Sequence, residues 1–215
     1  MIHDLNDDVL AYAEAHSTAE WAILKGLRRS TWQHVLTPQM LSDPIQGRFL
    51  ANISRMLKPQ SILELGTYTG YSTICLAAGL QPEGSIDTIE PNDELNGIQD
   101  EFWEAAGLLT AIRRHNGEAL KVLPELSGPY DLVWIDADKA RTEQYFEESL
   151  SRLRIGGWIL VDNVLWWGKV LDDCKEQDPI AAILERLTTK LASDSRVRTT
   201  LLPLRDGILM IEKIS

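Results

Sequence analysis

The chain has 215 residues, 44% hydrophobic and 25% charged, proportions that exclude a disordered or fibrous protein and allow one domain to bury a core without disulfides or structural metal. Its 21 Lys and Arg against 32 Asp and Glu leave a net charge of −11, which disfavours phosphate backbones and anionic lipid surfaces as partners. Asp4, Asp7, Asp8 and Glu14 break any apolar leader, and no apolar run reaches bilayer length, so a cytoplasmic protein is expected. Cys75 and Cys174 lie far apart and outside any metal or redox spacing, and both are expected to be buried free thiols.

The composition is even from end to end, with no repeat, low-complexity tract or long linker, which predicts one domain over 1–215. Its first part, 1–58, reads as helical: Leu5 to Ala15, then Glu20 to His34 behind Ser17 and Thr18, then a helix opened by Asp43-Pro44 and running to about Leu57. From 59 to 215 short apolar runs alternate with helix-length amphipathic segments, the pattern of an α/β fold with a doubly wound, mostly parallel sheet. Seven strands are predicted: Ser61–Leu65, Ser85–Glu90, Thr110–Arg113, Tyr130–Asp136, Gly157–Val161, Val197–Leu202 and Gly207–Lys213. Helices are predicted between them at Tyr71–Gly79, Asp93–Ala106, Glu118–Leu123, Arg141–Arg152 and Pro179–Ala192. Only Pro203 to Asp206 join the last two strands, too few residues for a crossover helix, so this pair is expected to be an antiparallel hairpin.

Ligands of open α/β sheets bind at the carboxyl ends of the strands, where this sequence places Glu64 to Thr67, Glu90, Asp136 to Lys139, and Asp162-Asn163. Gly66 and Gly70 bracket a strand-to-helix turn that lets backbone approach a ligand closely, although a plain turn explains the same residues. The spacing is Gly-x-x-x-Gly, not Gly-x-Gly-x-x-Gly, which counts against a nicotinamide cofactor. Glu90 ends the second strand, where a carboxylate can accept both hydroxyls of a ribose, so a nucleoside cofactor is favoured. Asp136, Asp138, Asp162 and Asn163 fall at the ends of neighbouring strands. They read either as an oxygen-ligand cation site suited to Mg²⁺, Mn²⁺ or Ca²⁺, or as a helix cap and a turn. Lys139 beside them is either a base or a surface lysine.

Four stretches in this order, ILELGTYTGYST, DLVWIDADK, GGWILVDNVLWWGKV and LLPLRDGILMIEK, resemble the cation-dependent class I S-adenosylmethionine O-methyltransferases of the caffeoyl-CoA and catechol type. The resemblance runs from about Met40 to the C-terminus. It implies a Rossmann-like methyltransferase fold and transfer of a methyl group from S-adenosylmethionine to a hydroxyl of a catechol-like vicinal diol. By the same resemblance Met40, Ser42, Glu64, Gly66, Thr67, Ser72, Glu90, Ala119, Asp136 and Asp138 line the cofactor site. Asp136, Asp162 and Asn163 match the metal ligands, with Mg²⁺ the expected ion. Lys139, with Asp136, matches the catalytic position of the general base, and Trp166 and Trp167 stand near the acceptor. A homodimer is also implied, with Trp21 and Trp32 either at the contact or inside the chain. Three positions depart from the family: Gln46 where plant members have Glu, Thr142 where a Tyr is common, and Trp167 where plant enzymes have Asn. The competing readings are a nicotinamide-dependent oxidoreductase and a non-catalytic cofactor-binding protein.

Overall fold

The computed structural model of the chain describes residues 7–171 and 178–215. Three helices come first, α1 (Asp7–Ala15), α2 (Ala22–His34) and α3 (Pro44–Leu57). α3 begins where the Asp43 carboxylate accepts the Gln46 N–H at 2.8 Å and Pro44 occupies the first turn; it ends at Lys58, in the left-handed region, just before Pro59. The remaining elements are β1 (Ser61–Leu65), α4 (Tyr71–Leu76), β2 (Ser85–Glu90), α5 (Asn96–Ala105), β3 (Ile112–Asn116), α6 (Ala119–Val122), β4 (Tyr130–Ile135), α7 (Thr142–Arg152), β5 (Leu153–Asp162), α8 (Pro179–Ala192), β6 (Val197–Leu202) and β7 (Ile208–Lys213). Among the described residues no helix is long and apolar enough to cross a membrane.

The seven strands form one sheet in the order β3-β2-β1-β4-β5-β7-β6. β1 to β5 run parallel, and β7 is antiparallel to both of its neighbours, so the expected hairpin is present with its second strand inserted against β5. Successive residues of the central strands point to opposite faces. Leu63, Leu65, Val133, Ile135, Ile159 and Val161 face the cluster closed by Phe146 and Leu150 of α7 and Leu187 and Leu191 of α8. Ile62, Leu132, Trp134 and Leu160 face the other cluster, closed by Leu24 and Leu27 of α2, Leu50 of α3, Tyr71 of α4 and Trp103 of α5. Each aliphatic side chain so buried contributes about 1.5–3 kcal/mol. Burial on both faces is why these strands read as continuous apolar runs.

Two strands shift by more than one residue from the sequence reading. β3 covers Ile112–Asn116 rather than Thr110–Arg113, because Ala111 and Ile112 both turn back to the Leu108 carbonyl before pairing with β2 begins. Its residues Arg113, Arg114 and His115 are polar because β3 is an edge strand; Arg113 and His115 meet Asp87 of β2, and Arg114 meets Asp100. β5 begins at Leu153, earlier than the expected Gly157, with a register shift between Tyr130 and Leu132 of its partner β4.

The winding reverses between β1 and β4, the point at which a crevice opens above the sheet. Gly66 sits there at φ +93°, its N–H donating to the Ile89 carbonyl at 3.0 Å, while the Asp136 N–H donates to the Leu65 carbonyl at 2.8 Å. A Cβ at Gly66 would stand 2.1 Å from the Asp136 carbonyl oxygen. Gly66→Ala is therefore expected to cost on the order of 2–6 kcal/mol, strain and overpacking together. Urea unfolding monitored by fluorescence reads this directly; an unchanged midpoint would mean that the two strand ends are not locked as described.

Candidate active site

A cleft of about 840 Å³ lies over the carboxyl ends of β1, β2, β4 and β5, within the size range of small-molecule sites. Of the residues singled out from the sequence, Met40, Ser42, Gly66, Thr67, Ser72, Glu90, Ala119, Asp136, Asp138, Lys139, Asp162, Asn163, Trp166 and Trp167 all line it. Glu64 does not. It is fully buried one layer behind the wall, where its carboxylate accepts the hydroxyls of Ser72 at 2.5 Å, Thr73 at 2.5 Å and Thr88 at 2.6 Å. Burial pushes its pKa up to about 7 against the pull of those three donors, and the negative charge of Asp136 pushes the same way. Glu64 thus orients the hydroxyl of Ser72, which reaches the cleft, rather than reaching it itself.

At the β2 end, Glu90 accepts the Tyr68 N–H at 2.8 Å through one oxygen and the Asn92 N–H at 3.0 Å through the other. These bonds hold the carboxylate at the cleft wall. Tyr68, at φ +50°, donates its hydroxyl to the Thr37 carbonyl at 2.9 Å and so ties the segment carrying Met40 and Ser42 to the turn after β1. Ala119 starts α6 on the same side, and Asp138 caps the turn of Lys139 to Arg141 by accepting the Ala140 N–H.

The β4 and β5 ends form the other half. Lys139 Nζ donates to Asp136 Oδ1 at 2.6 Å, and the Lys139 carbonyl is held by the Thr142 hydroxyl at 2.8 Å. Thr142 therefore pins the lysine turn, while Tyr145 lines the cleft beside it. Asp162 is 3% exposed; its carboxylate accepts Gln46 Nε2 at 2.6 Å and the Asn163 N–H at 2.8 Å. Burial raises its pKa, the charge of nearby Asp136 raises it further, and Lys139, Gln46 and Asn163 oppose the shift. Two carboxylates and the amide of Asn163, held at φ +62°, make an all-oxygen donor set of formal charge −2. Among the described residues no group of three or more His, Cys, Asp or Glu side chains is placed to hold a metal ion by itself, so this set combines two carboxylates with an amide. Its chemistry fits a hard divalent cation rather than zinc.

Trp166 and Trp167 leave β5 in the left-handed region, with ring centroids 4.6 Å apart at 52°. Trp166 Nε1 donates to Asp178 at 3.1 Å, whereas Trp167 is 72% exposed at the mouth, where its N–H is held by Asp206. Among the lining residues not picked out from the sequence are Tyr68, Arg205 and Asp206. Tyr68 lay inside a turn read for its glycines, and Arg205 and Asp206 belonged to a loop read for its length and as part of a matching stretch, with no role given to either residue. Of the two cysteines, Cys75 is a free buried thiol whose pKa is pushed up by burial; Cys174 lies outside the described residues.

A family profile described as O-methyltransferase matches residues 14–214. The chain belongs to the O-methyltransferase family. Its relatives include the catechol O-methyltransferase of Niastella koreensis, 34% identical over 169 residues and covering 77% of this chain and 76% of that one. "Probable caffeoyl-CoA O-methyltransferase 2" of Dictyostelium discoideum is 33% identical over 215 residues, covering 98% and 93%. Among solved structures, the O-methyltransferase TomG of Streptomyces achromogenes, in complex with SAM, superposes with a TM-score of 0.90 at 28% identity over the whole of both chains. Membership of an O-methyltransferase family sets aside the oxidoreductase and the non-catalytic binding protein.

Proposed function

We propose that this O-methyltransferase transfers the methyl group of S-adenosylmethionine to one hydroxyl of a catechol-type vicinal diol, with a divalent cation, Mg²⁺ in the first instance, at Asp136, Asp162 and Asn163. The observation that carries the reading is the division of one cleft into two halves: Glu90, Ser72 and Ala119 at one end, Asp136, Lys139, Asp162 and Asn163 at the other. In the first half Glu90 accepts the ribose hydroxyls, Met40 and Ser42 close the pocket from the N-terminal side, and Asp138 faces the amino group. When bound, a divalent cation would lower the pKa of a diol hydroxyl and fix its approach. Lys139 receives the hydroxyl proton at Nζ, positioned by Asp136 and by the Thr142 bond to its carbonyl. Trp166 and Trp167 offer flat apolar surface to the acceptor ring. Holding both reactants in one cleft supplies much of the remaining rate.

A homodimer joined through the outer face of α2 fits the same reading. There Trp32 is 61% exposed, while Trp21 packs within the chain against the core. The experiment is mass-spectrometric detection of methyl transfer from S-adenosylmethionine to a panel of catechols, each with Mg²⁺ and again with excess chelator. Product that disappears with chelator is expected. Equal product with and without chelator would remove the cation from the reading, and cofactor binding without product from any diol would remove the acceptor class.

A further inference from the structure

Gln46 is 1% exposed, although it stands at the start of a helix and beside an open cleft. Its amide is used at both ends. Nε2 donates to Asp162 Oδ2 at 2.6 Å, and Oε1 accepts Arg205 Nη1 at 2.5 Å. Arg205 has only donors and an ionised aspartate only acceptors, so a single orientation of the amide satisfies both. Arg205 is fixed in turn: its Nε lies 2.9 Å from Asp43 Oδ2, and the other oxygen of Asp43 accepts the backbone N–H of Gln46 at 2.8 Å. Asp43, Gln46 and Arg205 form a closed ring whose one outward bond points at Asp162.

An ionised glutamate in place of Gln46 would keep Arg205 as partner but set a second negative charge against Asp162 with no hydrogen to donate. The amide here does what that residue cannot. It transmits the anchoring of Arg205 as a neutral N–H on one lone pair of Asp162, while the Asn163 N–H holds the other oxygen. Both oxygens are thereby fixed in direction.

We propose that Gln46 is a positioning residue for Asp162, oriented by Arg205 of the β6–β7 turn, and that this relay sets the affinity of the cleft for a divalent cation. The proposal rests on the reading that Asp136, Asp162 and Asn163 hold that cation. Partners that orient a metal ligand typically account for 10–100-fold in metal affinity. The test is titration of the protein with Mn²⁺ alone, followed by calorimetry and by the electron paramagnetic resonance signal of the free ion.

Gln46→Met is expected to weaken Mn²⁺ binding by about 10–100-fold, while S-adenosylmethionine affinity changes little. Arg205→Met, which keeps Gln46 but frees its orientation, should weaken binding less. The double variant should be no weaker than Gln46→Met alone, within about a factor of two, because coupled groups are not additive. A wild-type protein that binds no Mn²⁺ overturns the metal reading and this proposal with it. Wild-type binding matched by Gln46→Met overturns the proposal and leaves the metal reading standing, and additive losses in the double variant overturn the role of Arg205. If Gln46→Met does not fold, Arg205→Met decides: an affinity equal to wild type overturns the relay.

Discussion

Asp162→Asn is expected to lower methyl transfer by about 10²–10⁴-fold, the range in which loss of a metal or acid–base function falls, with S-adenosylmethionine still bound. The asparagine keeps the shape of a side chain that is 3% exposed and packed between Gln46 and Asn163, so a folded protein is expected. What changes is the charge of the donor set, from −2 to −1, and with it the attraction for a cation. The cofactor half of the cleft is built on other residues, with Glu90 held by Tyr68 and Asn92. Steady-state rates in Mg²⁺, with cofactor affinity by calorimetry, separate the two halves. Loss of cofactor binding with turnover retained at saturation would reverse the assignment of the two ends.

Lys139→Met should be the second large effect. The lysine side chain is only 13% exposed, its Nζ lies 2.6 Å from Asp136, and its backbone is pinned by Thr142, so its amine is presented to the cleft from a fixed turn. Positioned general bases contribute about 10²–10⁴-fold, and kcat should fall in that range. The acceptor KM should move little, because methionine keeps the apolar stem and removes only the amine. An unchanged kcat at neutral pH would falsify the role of Lys139 and leave it a counter-ion of Asp136.

The same two positions show how much of the site was legible before the structure. Asp162 and Lys139 could be placed because each closes or follows an apolar run, and the ends of such runs in an α/β sheet share one edge. Glu64 obeyed the same rule and was placed at the cleft, yet it faces sideways into α4. Its direction depends on the hydroxyls of Ser72, Thr73 and Thr88, and Thr88 belongs to a different strand. β3 was misplaced for a related reason: an edge strand satisfied by Asp87 needs no apolar run, so periodicity carried little signal there.

Read alone, the chain determined its helical opening, its alternation of strands and helices, the antiparallel hairpin at its end and the strand-end residues of the cleft. These follow from local properties: turn chemistry, the period of apolar residues, and connection length. Only the tertiary structure decided that β7 enters between β5 and β6, that Glu64 stands behind the wall, and that Arg205 reaches Gln46 across 159 positions to hold Asp162. Such contacts join residues remote in sequence through distances of a few ångströms set by packing, and no local pattern encodes which remote side chain will complete a buried hydrogen bond.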